Sequence, residues 1–287
     1  MIEAEIITEE HSFAERWFNV RRQGRLLVFG ADPSEALLRR WGLSVDAAGI
    51  DTFIDIVLDA IPENVGVIKP QSAFFEARGW QGMRSLERLI REARAMGALV
   101  LLDAKRGDIG STADAYGSAY LGTAAPLQVD AITVAPYLGL DALTPMIHRA
   151  AASGSAVFVV ARSSNPEGRA LQTATLAEGV SVENALLRDI GRMNEAYGLG
   201  TVNAVVGVHT PPLRDEVLRS SNALFLCPGF GAQGTTAVDI ATAFRSLTDR
   251  VLPTASRSLL DAGPDPKALA DRWATLNEEL AVALASV

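Results

Sequence analysis

The sequence is poor in the residues that most often bind metals or form covalent links. Its 287 residues include one cysteine, Cys227, and three histidines, His11, His148 and His209. A single cysteine excludes a disulfide within the chain and any zinc site built on several cysteines, and it fits a reducing cytoplasm. The histidines are scattered, without the spacing of metal ligands. We therefore expect no metal site.

Basic patches and long apolar runs are also missing. The 26 lysines and arginines are outnumbered by 34 aspartates and glutamates, which gives a net charge of −8 and argues against a nucleic-acid partner. No apolar run approaches the roughly 20 residues that span a bilayer. The acidic start, Met1 to Glu5, lacks the basic region of a signal peptide. We expect a cytoplasmic protein that binds neither membranes nor nucleic acid, and an anionic substrate would need a local cluster of cations.

What the sequence does contain is a regular alternation of apolar strands and amphipathic helices, with 48% hydrophobic residues to form a core. Alternation of this kind is typical of parallel strands, and eight strands at this length predict a (β/α)8 barrel over residues 1–287 with an N-terminal helical extension. A doubly wound sheet is the alternative, but no glycine fingerprint follows the first strand. The predicted strands are 26–31, 65–68, 98–102, 131–134, 156–161, 202–207, 223–227 and 250–255.

The most informative stretch begins in the third predicted strand and continues into a loop. Side chains alternate along a strand, so Asp103 and Lys105 are expected on one face, roughly 6.5 Å apart. Asp108 follows in a glycine-flanked loop, and Ser111 is placed to cap a helix that starts near Thr112. An isolated Asp-x-Lys pair is also compatible with a structural ion pair, but three charges where a strand becomes a loop indicate a catalytic site.

Other polar residues follow the remaining predicted strands. In a barrel of this kind the active site lies at the carboxyl ends of the strands. Asp32, Lys69 and Ser164 stand at three of those ends. The glycine-rich loop 228–234 and Arg257 follow the seventh and eighth strands, which is the usual phosphate-binding position of the fold. Since no Gly-x-Ser-x-Gly or Walker-type loop is present, the chemistry is expected to use lysine and aspartate.

Four segments carry a resemblance to a known family. They are 30–33 (GADP), 68–76 (IKPQSAFFE), 103–112 (DAKRGDIGST) and 228–234 (PGFGAQG). They resemble the motifs of orotidine 5′-phosphate decarboxylases of the longer bacterial branch, and the similarity extends from about residue 26 to residue 257. This resemblance implies a cofactor-free decarboxylation of orotidine 5′-phosphate to UMP, the last step of de novo pyrimidine synthesis. It also implies a homodimer with active sites shared across the interface.

The resemblance further implies a role for each matching residue. Lys105 would protonate C6 of the base, and Asp103 would lie against the departing carboxylate. Lys69 and Asp108, the latter from the partner subunit, would complete the charged network. The residues implied for substrate binding are Asp32 and Thr112 with Lys69 for the ribose, Ser164 or its neighbour Ser163 for the pyrimidine edge, and Gln233 and Arg257 for the phosphate.

Three other functions stay open at this point. A magnesium-dependent phosphosugar decarboxylase has a similar Asp-x-Lys-x-x-Asp motif, but it would need a carboxylate where Lys69 stands. A class I aldolase would use Lys105 to form a Schiff base. A barrel that binds phosphate without catalysing a reaction is the third, which the intact set of charges disfavours.

Overall fold

The computed structural model describes residues 12–61, 65–208 and 212–287, so the acidic start from Met1 to Glu5, His11 and His209 lie outside the described residues. The eight strands form one closed parallel barrel in chain order, with β1 paired to β8, and the predicted (β/α)8 class is confirmed. The strands are β1 (Val28–Ala31), β2 (Val67–Pro70), β3 (Leu99–Arg106), β4 (Ala131–Val134), β5 (Ala156–Arg162), β6 (Val202–Val206), β7 (Phe225–Cys227) and β8 (Val251–Ala255).

Helices surround this barrel and bury apolar faces against it. Short 3-10 turns lie at Leu140–Leu143, Pro166–Gly168 and Thr248–Arg250. The α-helices of the described residues are α1 (Phe13–Arg22), α2 (Glu35–Arg40), α3 (Ala47–Ala60), α4 (Ser72–Glu76), α5 (Gly79–Ala95), α6 (Gly110–Tyr120), α7 (Thr144–Ser153), α8 (Arg169–Gln172), α9 (Val182–Tyr197), α10 (Asp215–Ser220), α11 (Ala237–Ala243), α12 (Arg257–Leu260) and α13 (Pro266–Ala285). None of the helices in this part of the chain is long and apolar enough to cross a membrane.

Helix α1 closes the amino-terminal end of the barrel. Phe13 and Trp17 are buried among apolar side chains of the barrel interior, and the ring of Phe13 meets that of Phe158 edge-on at 5.6 Å. The indole of Trp17 donates a hydrogen bond to the carbonyl of Asp249, just before β8. With this end filled, the carboxyl ends of the strands are left as the open face, where the predicted site residues stand.

Strand β3 is longer than predicted and irregular. It continues to Arg106 instead of ending near Leu102, and its pairing with β4 shifts register between these two residues. Lys105 has φ 46°, a left-handed conformation that a residue with a side chain seldom adopts. The irregularity therefore includes Asp103 and Lys105, two of the residues that the sequence marks as catalytic.

The predicted cap at Ser111 is wrong. Helix α6 begins at Gly110, its N-cap position is Ile109, and no side chain caps it. Gly110 takes φ 51°, which turns the chain into the helix one residue earlier than predicted. The carboxylate of Asp108 accepts a hydrogen bond from the Ile109 N–H, so a different side chain satisfies the backbone there.

Replacing Trp17 with alanine should lower the free energy of unfolding by about 3–5 kcal/mol, because a fully buried aromatic leaves a cavity at the base of the barrel. Trp80, which is 72% exposed, is the matched control, and Trp80→Ala should change stability by no more than about 0.5 kcal/mol. Urea unfolding of both variants measures this. Equal losses in the two would contradict the closing role of α1.

Candidate functional site

A cavity of about 430 Å³ opens at the carboxyl ends of the strands. It contains all but two of the side chains that the sequence assigned to the site, and the two exceptions are Asp108 and Thr112. The predicted residues that line it are Asp32, Lys69, Asp103, Lys105, Ser163, Ser164, Gln233 and Arg257. The barrel therefore brings together residues more than 220 positions apart in the chain.

At the bottom of the cavity, Asp103 lies between two lysines. Its Oδ1 is 2.6 Å from Nζ of Lys105, and its Oδ2 is 3.3 Å from Nζ of Lys69. Lys69 also approaches Oδ1 of Asp32 at 4.0 Å. Lys69 is buried near the end of β2, whereas the side chain of Lys105 is half-exposed to the cavity. The four groups form a chain of alternating charge.

These contacts keep Asp103 and Lys69 in their charged forms. Burial favours the neutral carboxyl of Asp103, but the charges of Lys69 and Lys105 and hydrogen bonds from Lys105 and Thr133 outweigh it and lower the pKa from 3.8 to about 2. Burial likewise disfavours the ammonium of Lys69, and the carboxylates of Asp32 and Asp103 reverse that effect and raise its pKa above 10.5. Both groups are ionised at neutral pH.

Two residues that the sequence analysis missed orient Asp103. The hydroxyl of Thr133 donates to Oδ1 of Asp103 at 2.8 Å and accepts the backbone N–H groups of Ala104 and Lys105 at 3.0 and 2.9 Å. With its amide nitrogen turned toward Asp103, Gln71 donates to the backbone carbonyl and to Oδ2 of that residue at 3.2 and 2.7 Å. A hydroxyl within the otherwise apolar β4 was the available signal for Thr133.

The same hydroxyl explains the unusual backbone of Lys105. A left-handed non-glycine residue costs on the order of 1–3 kcal/mol and persists only where its surroundings hold it. Here Thr133 holds the N–H of Lys105, and the register shift of β3 supplies the space. Asp103 and Lys105, expected on one face of the strand, are in direct contact, and this contact is made by a bulged strand and not by simple alternation of side chains.

The loop 228–234 follows β7 at the predicted phosphate-binding position, and it forms a tight turn. Gly229, Gly231 and Gly234 have φ of 101°, 77° and 85°, which glycine adopts without strain. A Cβ on Gly229 would stand 2.8 Å from Oε1 of Gln233, so the glycine lets that side chain fold over the loop. Arg257 begins α12 across the cavity mouth and, among the described residues, makes no ion pair.

Asp108 and Thr112 point elsewhere. Asp108 accepts the N–H of Ile109 at 2.8 Å, and Thr112 is exposed in the first turn of α6. Arg106, the last residue of β3, contacts Glu76 and lies 5.7 Å from the ring centre of Tyr116, away from the cavity. These loop residues surround the cavity of their own chain without entering it.

Comparisons with known proteins give a consistent result. Residues 26–273 match the family model described as orotidine 5′-phosphate decarboxylase / HUMPS family. Proteins named orotidine 5′-phosphate decarboxylase from Salinispora tropica and Myxococcus xanthus are 49% and 43% identical over 259 and 267 residues. The alignments cover 90% and 92% of this chain and 93% of each relative. The solved Leishmania donovani OMP decarboxylase is 30% identical with a TM-score of 0.75, and covers 96% of this chain and 99% of that chain.

Replacing Lys69 with methionine should raise the pKa of Asp103 above about 2, since one of its two cations is lost while its burial remains. Ionised Asp103 stabilises the wild-type fold fully above pH 3.8, and this contribution is lost as the pH falls through about 2. In Lys69→Met this contribution should be smaller, and it should be completely lost at a higher pH than in the wild type. Carbon-13 NMR titration of the carboxylate measures the shift.

Arg40→Met is the matched control, because Arg40 also lines the cavity but pairs with Asp261. It should leave the pKa of Asp103 unchanged. An unaltered titration in Lys69→Met, or an equal change in both variants, would contradict the charge network.

Proposed function

The chain belongs to the orotidine 5′-phosphate decarboxylase / HUMPS family, and we propose on that basis that it decarboxylates orotidine 5′-phosphate to UMP without a cofactor, with Lys105 as the proton donor. The observation that carries this proposal is the carboxylate of Asp103 held between the ammonium groups of Lys69 and Lys105 at the base of the cavity. These residues supply fixed charge of both signs and an acidic proton.

The reaction needs those properties. When the C6–carboxylate bond of the substrate breaks, CO2 leaves and its bonding electron pair stays on C6, where the ring offers no adjacent electron sink. Stabilisation of the developing negative charge must then be electrostatic, and the ammonium of Lys105 provides it. Transfer of one proton from Nζ to C6 completes UMP and leaves Lys105 as a neutral amine, which regains a proton from solvent before the next turnover.

Asp103 acts on the substrate before the bond breaks. Its pKa of about 2 keeps it ionised at neutral pH, so the substrate carboxylate would meet another negative charge. That repulsion is relieved when CO2 departs, which raises the energy of the bound substrate relative to the transition state. Thr133 and Gln71 prevent Asp103 from turning away, because they hold its two carboxylate oxygens.

Binding energy that offsets this repulsion comes from the remote parts of the substrate. Arg257 and the 228–234 loop with Gln233 stand where an anionic phosphate would be bound by a cation and backbone N–H groups. Asp32, which is near Lys69, is suited to accept hydrogen bonds from ribose hydroxyls. The cavity thus has a cationic end for the phosphate and a charged base for the reacting carboxylate.

The charge network disfavours two of the other functions that the sequence leaves open. A magnesium-dependent phosphosugar decarboxylase would need a metal ligand at Lys69, whose ammonium instead lies within 4.0 Å of both Asp32 and Asp103 and would repel a divalent cation. A Schiff-base aldolase needs a neutral amine, whereas Lys105 is ion-paired to Asp103 at 2.6 Å.

We also propose that the active protein is a homodimer in which Asp108 and Thr112 enter the partner's cavity. Two observations support this: neither residue lines its own cavity, and exposed apolar side chains surround them. Ile109, Tyr137 and Leu138 are 59%, 81% and 55% exposed on adjacent loops after β3 and β4. An apolar patch of this kind is typical of a protein interface. A cytoplasmic location is proposed as well, since the chain has a single cysteine, Cys227, and so forms no disulfide of its own.

Lys105→Ala should lower kcat by at least about 100-fold while the protein stays folded, because it removes the general acid. The loss of absorbance as orotidine 5′-phosphate is consumed measures the rate. Lys267→Ala, at a lysine that pairs with Asp271 on the surface of α13, is the control and should keep wild-type activity. Retention of more than about a tenth of kcat in Lys105→Ala would exclude the assigned role.

Mixing two inactive variants tests the shared site. If Asp108 acts in the partner's cavity, a heterodimer of Lys105→Ala and Asp108→Ala has one site with both changes and one site with neither. About a quarter of wild-type activity should then return in an equimolar mixture after subunit exchange, since half the dimers are mixed and each has one intact site. If exchange is verified by mass spectrometry and no activity returns, Asp108 acts within its own chain.

A further inference from the structure

The segment that follows β5 contains a polar cluster directly behind the cavity wall. Ser163 and Ser164 line the main cavity, and Gln172, in the short helix α8, lies on the far side of Ser163. The Gln172 amide makes two hydrogen bonds to that one residue. Its Nε2 donates to Oγ of Ser163 at 2.9 Å, and its Oε1 accepts the Ser163 N–H at 3.1 Å.

Two glycines allow the backbone to pack closely against Ser163, Ser164 and Gln172. A Cβ on Gly168 would stand 2.5 Å from Oγ of Ser163 and 2.8 Å from Nε2 of Gln172. A Cβ on Gly207, after β6, would stand 2.9 Å from Cα of Ser164. Any side chain at either position would displace the serines or the amide. The serine pair is thus confined from the side of α8 and from the side of β6.

The base of the segment is anchored as well. Arg162, the last residue of β5, pairs with Glu183 of α9 at 3.4 Å, and both side chains are buried. The carbonyl of Arg162 accepts the N–H of Gly207 at 2.8 Å. Arg162 and Glu183 therefore hold the two ends of the segment that carries Ser163, Ser164 and Gln172.

We propose that Gln172 is a positioning residue for recognition of the pyrimidine base, and that Ser164 is the residue it presents to the base. This inference rests on the proposed function. Gln172 engages both the N–H and the hydroxyl of Ser163, whereas Ser164 makes no hydrogen bond to another residue in the described part of the chain. A serine can donate to a ring carbonyl and accept from a ring N–H, which are the groups on the edge of a uracil.

Two ligands separate base recognition from phosphate binding. UMP carries the base, whereas ribose 5-phosphate keeps the sugar and phosphate but lacks it. Gln172→Leu should weaken UMP binding by roughly fivefold to tenfold, which corresponds to about one hydrogen bond of net value. Its affinity for ribose 5-phosphate should equal that of the wild type. Isothermal titration calorimetry measures both dissociation constants.

A conservative variant provides the rescue. Gln172→Glu keeps an acceptor for the Ser163 N–H, and the Ser163 hydroxyl can rotate to donate to the new carboxylate. It should bind UMP as the wild type does. Leu171→Ala, at an exposed residue of the same helix, controls for general loosening of α8 and should leave both affinities unchanged.

The outcomes are distinct. Equal weakening of UMP and ribose 5-phosphate in Gln172→Leu would mean a merely structural role, and no change in either would mean no role; each overturns the proposal. Failure of Gln172→Glu to restore UMP binding also overturns it. If the wild-type protein binds ribose 5-phosphate but neither binds UMP nor consumes orotidine 5′-phosphate, the proposed function itself is wrong, and the positioning role falls with it.

Discussion

The candidate site depends on the placement of one largely buried carboxylate between two ammonium groups. Asp103 is costly to bury as an anion, and it stays charged because β2 and β3 bring Lys69 and Lys105 to its two oxygens. Removal of one partner from such a group typically costs about 3–5 kcal/mol, since the remaining charges are left buried and uncompensated. The interaction that prepares the site is therefore also one that the native state must maintain.

The barrel fixes this placement because Lys69, Asp103 and Lys105 all lie on strands. Lys69 and Asp103 are parts of neighbouring strands, and Thr133 on the next strand ties Asp103 to β4. The residues proposed to bind the remote parts of the substrate follow β1, β7 and β8, and three glycines with positive φ provide the turns of the loop after β7. The charges of Lys69, Asp103 and Lys105 thus lie on strands, whereas the residues proposed to bind phosphate and ribose lie beyond the strand ends.

The sequence predicts the barrel and most of the site, because apolar periodicity and the order of strand ends are local signals. It cannot predict the environment of Lys105. Its left-handed backbone depends on Thr133, whose partners are set by the register between β3 and β4 and not by spacing along the chain. The Ser111 cap failed for a related reason, since a positive φ at Gly110 started the helix earlier. The hydrogen bonds from Gln172 to Ser163 depend on a loop that folds back onto the end of β5, and no periodic pattern in the sequence predicts that loop.

Helix α1 has a consequence for synthesis on the ribosome. Its tryptophan bonds to a carbonyl 232 positions later, and Arg16 bonds to Asp130, 114 positions later. Helix α1 therefore has no complete binding surface until β8 has been translated. Until then its aromatic face stays uncovered, as is common for chains dominated by distant contacts. A nascent chain that stalls before β8 would display that face to chaperones and proteases, so the exposure of α1 distinguishes chains that lack β8 from chains that contain it.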